Sequence, residues 1–222
     1  MRMTGPIDFR RRMRRAARRL AQSTHAAVML EMAFAIPFLI LVGFGGLEIA
    51  NLTLAHTRVS QLGLNTADNA ARIAAGSNLT QPEIREVDIN EVFAGAAQQV
   101  AGLGFENNGR IILSSLQRND DGGQTIKWQR CFGNLEVASA YGVEGTGATG
   151  TDFPGMGPVG REVTAAAGTA IMFVEVTYEY QPLLFGAWLG PQTIRSTAAY
   201  NIREARDLSG VKAPGTPATC KE

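Results

Sequence analysis

Histidine and cysteine are both scarce in this chain of 222 residues, which holds two of each. The histidines, His25 and His56, stand on either side of a long apolar run, so a zinc centre or a cysteine–histidine pair beyond that run lacks its parts. Glu175 and Glu179 lie about 13 Å apart along a predicted strand, farther than the roughly 6.5–9.5 Å of an inverting carboxylate pair, and we interpret them as solvated charges. We therefore predict neither an enzyme nor a metal or cofactor site.

Charged residues are also few, at 18% of the chain, and they are unevenly distributed. Residues 1–25 contain eight arginines and one acid, a net charge of +7, whereas the remaining 197 residues sum to −6. This asymmetry argues against a protein that binds nucleic acid along its whole length, and nucleic acid is not expected as a partner. Because seven of the arginines fall within residues 10–19, their repulsion predicts a bare, unpacked arm over residues 1–25.

The long apolar segment that follows, residues 26–50, carries only two charges, Glu31 and Glu48. Crossing a bilayer takes about 20 helical residues, so the segment is long enough, and it exceeds the roughly 7–15 residues of a signal-peptide core. We predict a transmembrane helix, with the arginine arm on the cytoplasmic side and the remainder of the chain outside. A cleaved secretory signal is the weaker alternative. Pro37 is expected to kink the helix or open it locally near Ala33.

Glu31 is the informative residue of the span. A carboxylate at the bilayer centre costs about 2.5–3.5 kcal/mol, so an acid within such a helix suggests a functional site. The alternative is that Glu31 reaches the cytoplasmic headgroups with its own flexible side chain. The sequence leaves both interpretations open.

The order of these features, an arginine-rich arm, the small pair Ala26-Ala27, then Glu31 and Pro37 in an apolar helix, resembles the N-terminus of TadE-like proteins. These are minor pseudopilins of Tad (Flp) pilus systems. In that family a prepilin peptidase cuts after a glycine, and a glutamate is fifth in the mature chain. Aligning that glutamate with Glu31 places the cut between Ala26 and Ala27, so this chain has alanine where glycine is usual.

The resemblance implies a location and a set of partners. It implies a bacterial inner-membrane protein with a periplasmic domain, which could also enter an extracellular pilus. It implies that Glu31 pairs with the N-terminal amine of a neighbouring subunit. The implied partners are other pilin or pseudopilin subunits, the inner-membrane pilus assembly machinery, the prepilin peptidase and membrane lipid.

Beyond the span, the sequence predicts an α+β, pilin-like domain at residues 77–208 and a flexible tail at residues 209–222. Residues 51–76 extend the apolar helix, with Leu52, Val59, Leu62 and Ile73 on one stripe and Gly76 at its end. A capping box from Thr80 to Glu83 starts a second helix. Period-2 patterns predict about four antiparallel strands, with one face packed on helix and the other solvated, at residues 111–117, 125–132, 173–180 and 194–203.

The two cysteines and a Gly-rich segment complete the pattern. Cys131 is predicted on the strand face opposite Ile126 and Trp128, where a disulfide with Cys220 would hold the tail in an oxidising compartment; two free thiols are the alternative. Residues 133–160 are predicted to form a long mobile loop. Residues 145–150 match G-x-G-x-x-G, but no strand precedes them and no helix follows, so dinucleotide binding is not expected.

These features together predict a pseudopilin-like anchored protein that takes part in assembly or initiation of a Tad-type pilus through helix–helix packing. The main alternative is a membrane-anchored periplasmic binding module that uses the Gly-rich loop and never enters a filament. An anchored hydrolase is the least favoured hypothesis, because no motif nominates catalytic residues.

Overall fold

A computed structural model describes residues 6–21, 24–73, 81–184, 186 and 190–220 of the chain. The chain divides into two compact units, Met1–Ala50 and Asn51–Glu222. The described part of the first unit is helical, whereas the second combines helices with an antiparallel sheet. The α+β class expected from the sequence is therefore confirmed.

Helix α1, Pro6–Ala21, occupies most of the segment for which the sequence predicts a bare arm. The repulsion argument overlooked that a helix directs side chains outward and distributes neighbouring charges around its axis. The arginines from Arg11 to Arg19 are all exposed, so their guanidinium groups remain hydrated. Proline at the first helical position and the good helix propensity of arginine favour the same structure. The arm is thus helical over residues 6–21, which the sequence argument did not predict.

Helix α2, Thr24–Arg72, has 49 residues and continues through Pro37. Its part after Ala50 belongs to the second unit, where its buried residues recur at helical spacing. They are Ala55, Val59, Leu62, Ala67, Ala70 and Ala71. The predicted extension of the apolar helix past residue 50 is therefore confirmed as far as Arg72, whereas its predicted end at Gly76 lies outside the described residues.

Helix α3, Glu86–Gln99, begins a few residues later than the sequence predicts. The predicted cap, Thr80, lies outside the described residues. The backbone N–H of Arg85 instead donates to the Asp88 carboxylate at 3.0 Å, so this N–H just before the first turn has a hydrogen-bond acceptor. Buried residues at helical spacing, Ile89, Phe93 and Ala96, form the inner face of α3.

The sheet has four antiparallel strands in the order β3-β2-β4-β5. After a two-residue strand β1, Ile84–Arg85, and a short helix α4, Phe105–Asn108, the strands are β2 Gly109–Arg118, β3 Gln124–Phe132, β4 Ala170–Tyr180 and β5 Gln192–Asn201. Each overlaps one predicted strand. The four-stranded antiparallel sheet expected from the period-2 patterns is confirmed.

One face of the sheet packs on the second part of α2 and on α3, in a single apolar cluster. The predicted inward residues of β4, Val174, Val176, Tyr178 and Tyr180, all belong to it. Tyr178 also stacks on Phe105 of α4, with ring centroids 5.8 Å apart. Alternation along β4 is therefore a reliable guide to this face.

A β-bulge corrects the predicted facing of β3. Ser115 pairs with Trp128, but the next residue of β2, Leu116, pairs with Ile126, so Lys127 is an extra residue in the ladder. An extra residue moves everything beyond it to the other face. Trp128 consequently joins the helix-side core, while Ile126 faces the opposite side of the sheet.

That opposite side is buried rather than solvated, which contradicts the expected single covered face. Residues 133–169, here called the covering loop, lie over it and contribute Met156 and Ala165 to a second core with Ile126, Ile171 and Phe173. The loop is not structureless: its residues 156 and 163 exchange two backbone hydrogen bonds of 3.2 and 2.7 Å. The loop expected to be mobile is therefore a second packing layer.

The C-terminal segment is docked on the domain instead of extending freely. Strand β6, Val211–Lys212, pairs in parallel with β1. The predicted disulfide is present between Cys131 and Cys220, whose Cα atoms are 4.9 Å apart. Beside it, the Cys131 N–H donates to the Ala218 carbonyl at 2.8 Å. The tail thereby covers part of the free edge of β3. An uncovered edge strand could pair with a strand of another chain.

Candidate functional site

The part of α2 in the first unit exposes many large apolar side chains. Large hydrophobic side chains between residues 28 and 49 are about half exposed or more, and Met29, Phe34 and Phe38 reach 77%, 75% and 68%. A helix that is apolar on all sides belongs in lipid or inside a protein. This is the one segment of the described chain long and apolar enough to cross a membrane, with a mean hydropathy of 2.3 over its best window.

Glu31 lies within this apolar surface and is exposed. No salt bridge or hydrogen bond to its carboxylate occurs within the part of the chain that the structure describes. Ala27, also exposed, is one helical turn before Glu31 and so on the same face. In lipid, this carboxylate would require a cation or donor from another molecule, because desolvation penalises an unpaired charge.

The remaining sequence-predicted residues lie close to Glu31 along α2. The Ala26–Ala27 bond is within the helix, although the side chain of Ala26 lies outside the described residues. Pro37 has no N–H to donate to the carbonyl four residues earlier, at Ala33, so the helix lacks one backbone hydrogen bond there. The structure thus gathers Ala27, Glu31 and Pro37 on one helix, as expected from their spacing.

Three glycines lie further along the same helix, and two of them, Gly43 and Gly46, share one face because they are three residues apart. A Cβ atom added at Gly43, Gly45 or Gly46 would meet nothing within 4 Å. Small residues in apolar helices allow a second helix to approach closely, and they are common at helix–helix contacts within membranes. The geometry therefore suits lateral packing by another apolar helix.

The second unit contains a cavity of about 330 Å³ beside the disulfide. Arg110, Gln129, Glu136 and both cysteines contribute to its lining. Burial lowers the pKa of Arg110, although the negative charge of the nearby Glu136 opposes this shift. The Arg110 guanidinium donates a hydrogen bond to the Gly133 carbonyl at 3.2 Å. A second cavity of about 430 Å³ shares Arg110 and Glu136. The first cavity can hold a small molecule, but the Arg110 guanidinium in its lining already bonds to the protein itself.

A buried ion pair joins the start of α3 to the edge strand β3. Arg130 donates three hydrogen bonds to the Glu86 carboxylate, including one from Nε at 2.9 Å, and the two side chains are 10% and 6% exposed. The hydrogen bond to Glu86 raises the pKa of Arg130. Glu144 of the covering loop adds a contact of 3.1 Å. The cluster therefore has a structural role, tying three elements together.

Glu175 departs from the sequence-based interpretation of a solvated charge. It is buried, accepts a hydrogen bond from the Ser139 hydroxyl and another from the Ala140 N–H at 2.9 Å, and thus holds the covering loop on β4. Burial raises the pKa of its carboxyl group, against the opposing effect of these bonds. Glu179 is exposed, as expected. The two carboxylates therefore lie in different environments.

Metal-binding side chains do not gather anywhere in residues 6–21, 24–73, 81–184, 186 and 190–220: no group of three or more His, Cys, Asp or Glu is placed to hold an ion. His56 is exposed on α2, and the side chain of His25 lies outside the described residues. Both cysteines are consumed by the disulfide.

Comparison with known proteins finds no family model, no curated protein and no solved structure that matches this chain. Its function is therefore argued from its own residues.

Proposed function

We propose that this chain is a minor pseudopilin-like protein, anchored in the bacterial inner membrane, that takes part in assembly or initiation of a Tad-type pilus. The observation that carries the proposal is the exposed apolar surface of α2, which bears the exposed carboxylate of Glu31 and continues as one helix into an α+β domain. A long apolar helix that leads into a compact sheet domain suits a subunit that packs by its helix.

The orientation follows from charge and redox chemistry. Arginines concentrate before α2, which favours a cytoplasmic N-terminus. The disulfide lies after α2, and disulfides persist in oxidising compartments such as the periplasm. Both observations favour the same topology, with the sheet domain in the periplasm.

The proposed mechanism is lateral packing of α2 against the helices of other pilin-like subunits. Glu31 supplies a negative charge that a subunit's cationic group, such as a free N-terminal amine, neutralises on assembly, and this pairing offsets the cost of the buried charge. Pro37 removes one backbone hydrogen bond and allows local bending while the helix moves from bilayer to assembly. The face that carries Gly43 and Gly46 permits close approach.

The test is substitution of the carboxylate in the native host. Glu31→Ala and Glu31→Gln are expected to leave membrane insertion intact, since both remove a charge from an apolar helix, yet to reduce surface pili about tenfold or more, the loss expected when about 1.4 kcal/mol of pairing is removed. Met29→Ala is the matched control, because it trims a neighbouring exposed side chain without changing charge. Normal piliation by Glu31→Ala at normal protein level would contradict the assembly role.

Sequencing the mature N-terminus decides between two forms of the proposal. A mature chain that begins at Ala27 supports processing by the prepilin peptidase, whereas an intact Met1 supports a permanent anchor. The latter result would favour a role in the assembly machinery.

The cavity beside the disulfide favours a second candidate, an anchored periplasmic binding module. The two functions separate by fractionation: a pilus component is found with sheared filaments, while a binding module remains with the membrane. We rank this candidate second because the Arg110 guanidinium in the cavity lining already donates to the Gly133 carbonyl of the protein itself.

A further inference from the structure

Among residues 11–19 of helix α1, the arginines and the apolar residues lie on separate sides. Residues advance by about 100° each around a helix axis, so Ala16 and Ala17 fall within roughly 60° of Met13. The arginines between Arg11 and Arg19 all fall about 100° or more away from Met13.

The described side chains of α1 are open to solvent. Met13 is 60% exposed, and the arginines from Arg11 to Arg19 are exposed. None of these arginines forms a salt bridge within the described part of the chain. A narrow apolar stripe flanked by unneutralised cations is the pattern of a helix that lies in a membrane interface, with the stripe in the acyl boundary and the cations among anionic headgroups.

The position of α1 in the chain selects the same partner. Only residues 22 and 23 separate α1 from α2, whose apolar surface begins within its first turns. If α2 crosses the bilayer, α1 cannot be far from the cytoplasmic leaflet, which carries anionic lipid. A nucleic acid would neutralise the arginines as well, but it gives the apolar stripe no contact.

We propose that α1 is an interfacial helix that binds the anionic lipid surface of the cytoplasmic leaflet. Bound there, it holds the first turns of α2 at headgroup depth, so that Ala27 is presented at the membrane surface and Glu31 lies just within it. This inference rests on the membrane anchoring in the proposed function and is independent of whether the protein enters a pilus.

The experiment measures hydrogen–deuterium exchange of the full-length chain in lipid nanodiscs. One set of discs contains phosphatidylcholine alone, and the other contains about one third phosphatidylglycerol, which is anionic. Backbone amides of residues 6–21 are expected to exchange about tenfold more slowly in the anionic discs, because the helix is held on the surface. Equal exchange in the two sets would overturn the proposal.

The matched control is the double substitution Met13→Arg with Arg15→Met, which keeps composition, net charge and length but breaks the stripe. Its exchange in anionic discs is expected to return to the rate seen in phosphatidylcholine. Protection as strong as in the native chain would overturn the interfacial helix, since charge alone would then suffice. Exchange in β2 and β3 serves as the control for folding.

Two further measurements separate a failure of the α1 proposal from a failure of the proposed function. Slower exchange on adding duplex nucleic acid than on adding anionic lipid would overturn the proposal in favour of a different partner. Resistance of the native chain and of the double variant to alkaline carbonate extraction tests the anchoring by α2 separately. If the α1 proposal fails while both proteins resist extraction, the proposed function still stands.

Discussion

Replacing Glu86 by alanine is expected to destabilise the second unit by about 3–5 kcal/mol, the usual cost of removing one partner of a buried ion pair. The substitution leaves the Arg130 guanidinium, 10% exposed, without the acceptor of its three hydrogen bonds to that carboxylate. Glu144 stays within reach, but it is 54% exposed and compensates poorly. The penalty therefore comes mainly from a buried charge that has lost its partner.

The effect is large enough to measure by thermal unfolding. In a unit of this size, 1 kcal/mol shifts the midpoint by about 2–4 °C, so the expected loss is roughly 6–20 °C. The full-length, oxidised chain in detergent micelles is a suitable sample. Tryptophan fluorescence is a suitable signal, because Trp128 lies buried in the helix-side core.

An exposed pair provides the control. Asp68 lies 2.6 Å from Arg203 and 2.8 Å from Arg72, but its side chain is 24% exposed, so Asp68→Ala should lower the midpoint much less than Glu86→Ala does. The double substitution Glu86→Leu with Arg130→Met removes both charges and should recover most of the loss. A midpoint for Glu86→Ala that falls no further than that of Asp68→Ala would refute the argument from burial.

Two more predictions concern the covering loop and the tail. Burial raises the pKa of Glu175 above its ordinary 4.5, so the folded chain binds that proton more tightly and loses stability as the pH rises from 4.5 through the folded-state pKa. Urea unfolding should therefore show Glu175→Gln gaining stability relative to the native chain over that pH range; a difference that stays constant with pH would speak against it. The Cys131–Cys220 disulfide closes a separation of 89 residues, and its reduction should lower the free energy of unfolding by about 2–4 kcal/mol. The double serine variant should not respond to reductant, and an unchanged unfolding midpoint of the reduced native chain would contradict this role for the disulfide.

Local patterns predicted the elements whose structure is set by nearby residues. The length and apolarity of residues 26–50 predict a helix because backbone groups within an apolar segment must be satisfied internally. Alternation along β4 predicts its helix-side residues because successive side chains of a strand point to opposite faces. The helix over residues 6–21 was not predicted, because charge repulsion was considered without the helical arrangement that spreads the charges.

Some residues of the candidate site have a local signal in the sequence, and others do not. Glu31 stands out in the sequence because a carboxylate is unusual in an apolar run, and its assembly role remains a prediction. The burial of Glu175 had one visible signal: residues 171–174 are apolar without alternation, as in strands covered on both faces. No local signal connects Glu86 to Arg130, because 44 residues separate them.

Hydropathy and periodicity, read from the sequence alone, determine that this chain has one apolar helix able to cross a membrane, a second helix and a four-stranded antiparallel sheet. These depend on interactions within a few residues, which every chain of this pattern makes. Only the tertiary structure decides that the Gly-rich segment covers the sheet, that a bulge at Lys127 redirects Ile126, and that the tail docks beside Cys131. Those outcomes depend on shape and hydrogen-bond matching between segments far apart in the chain. A pattern of residues along the sequence does not show which distant segments come into contact.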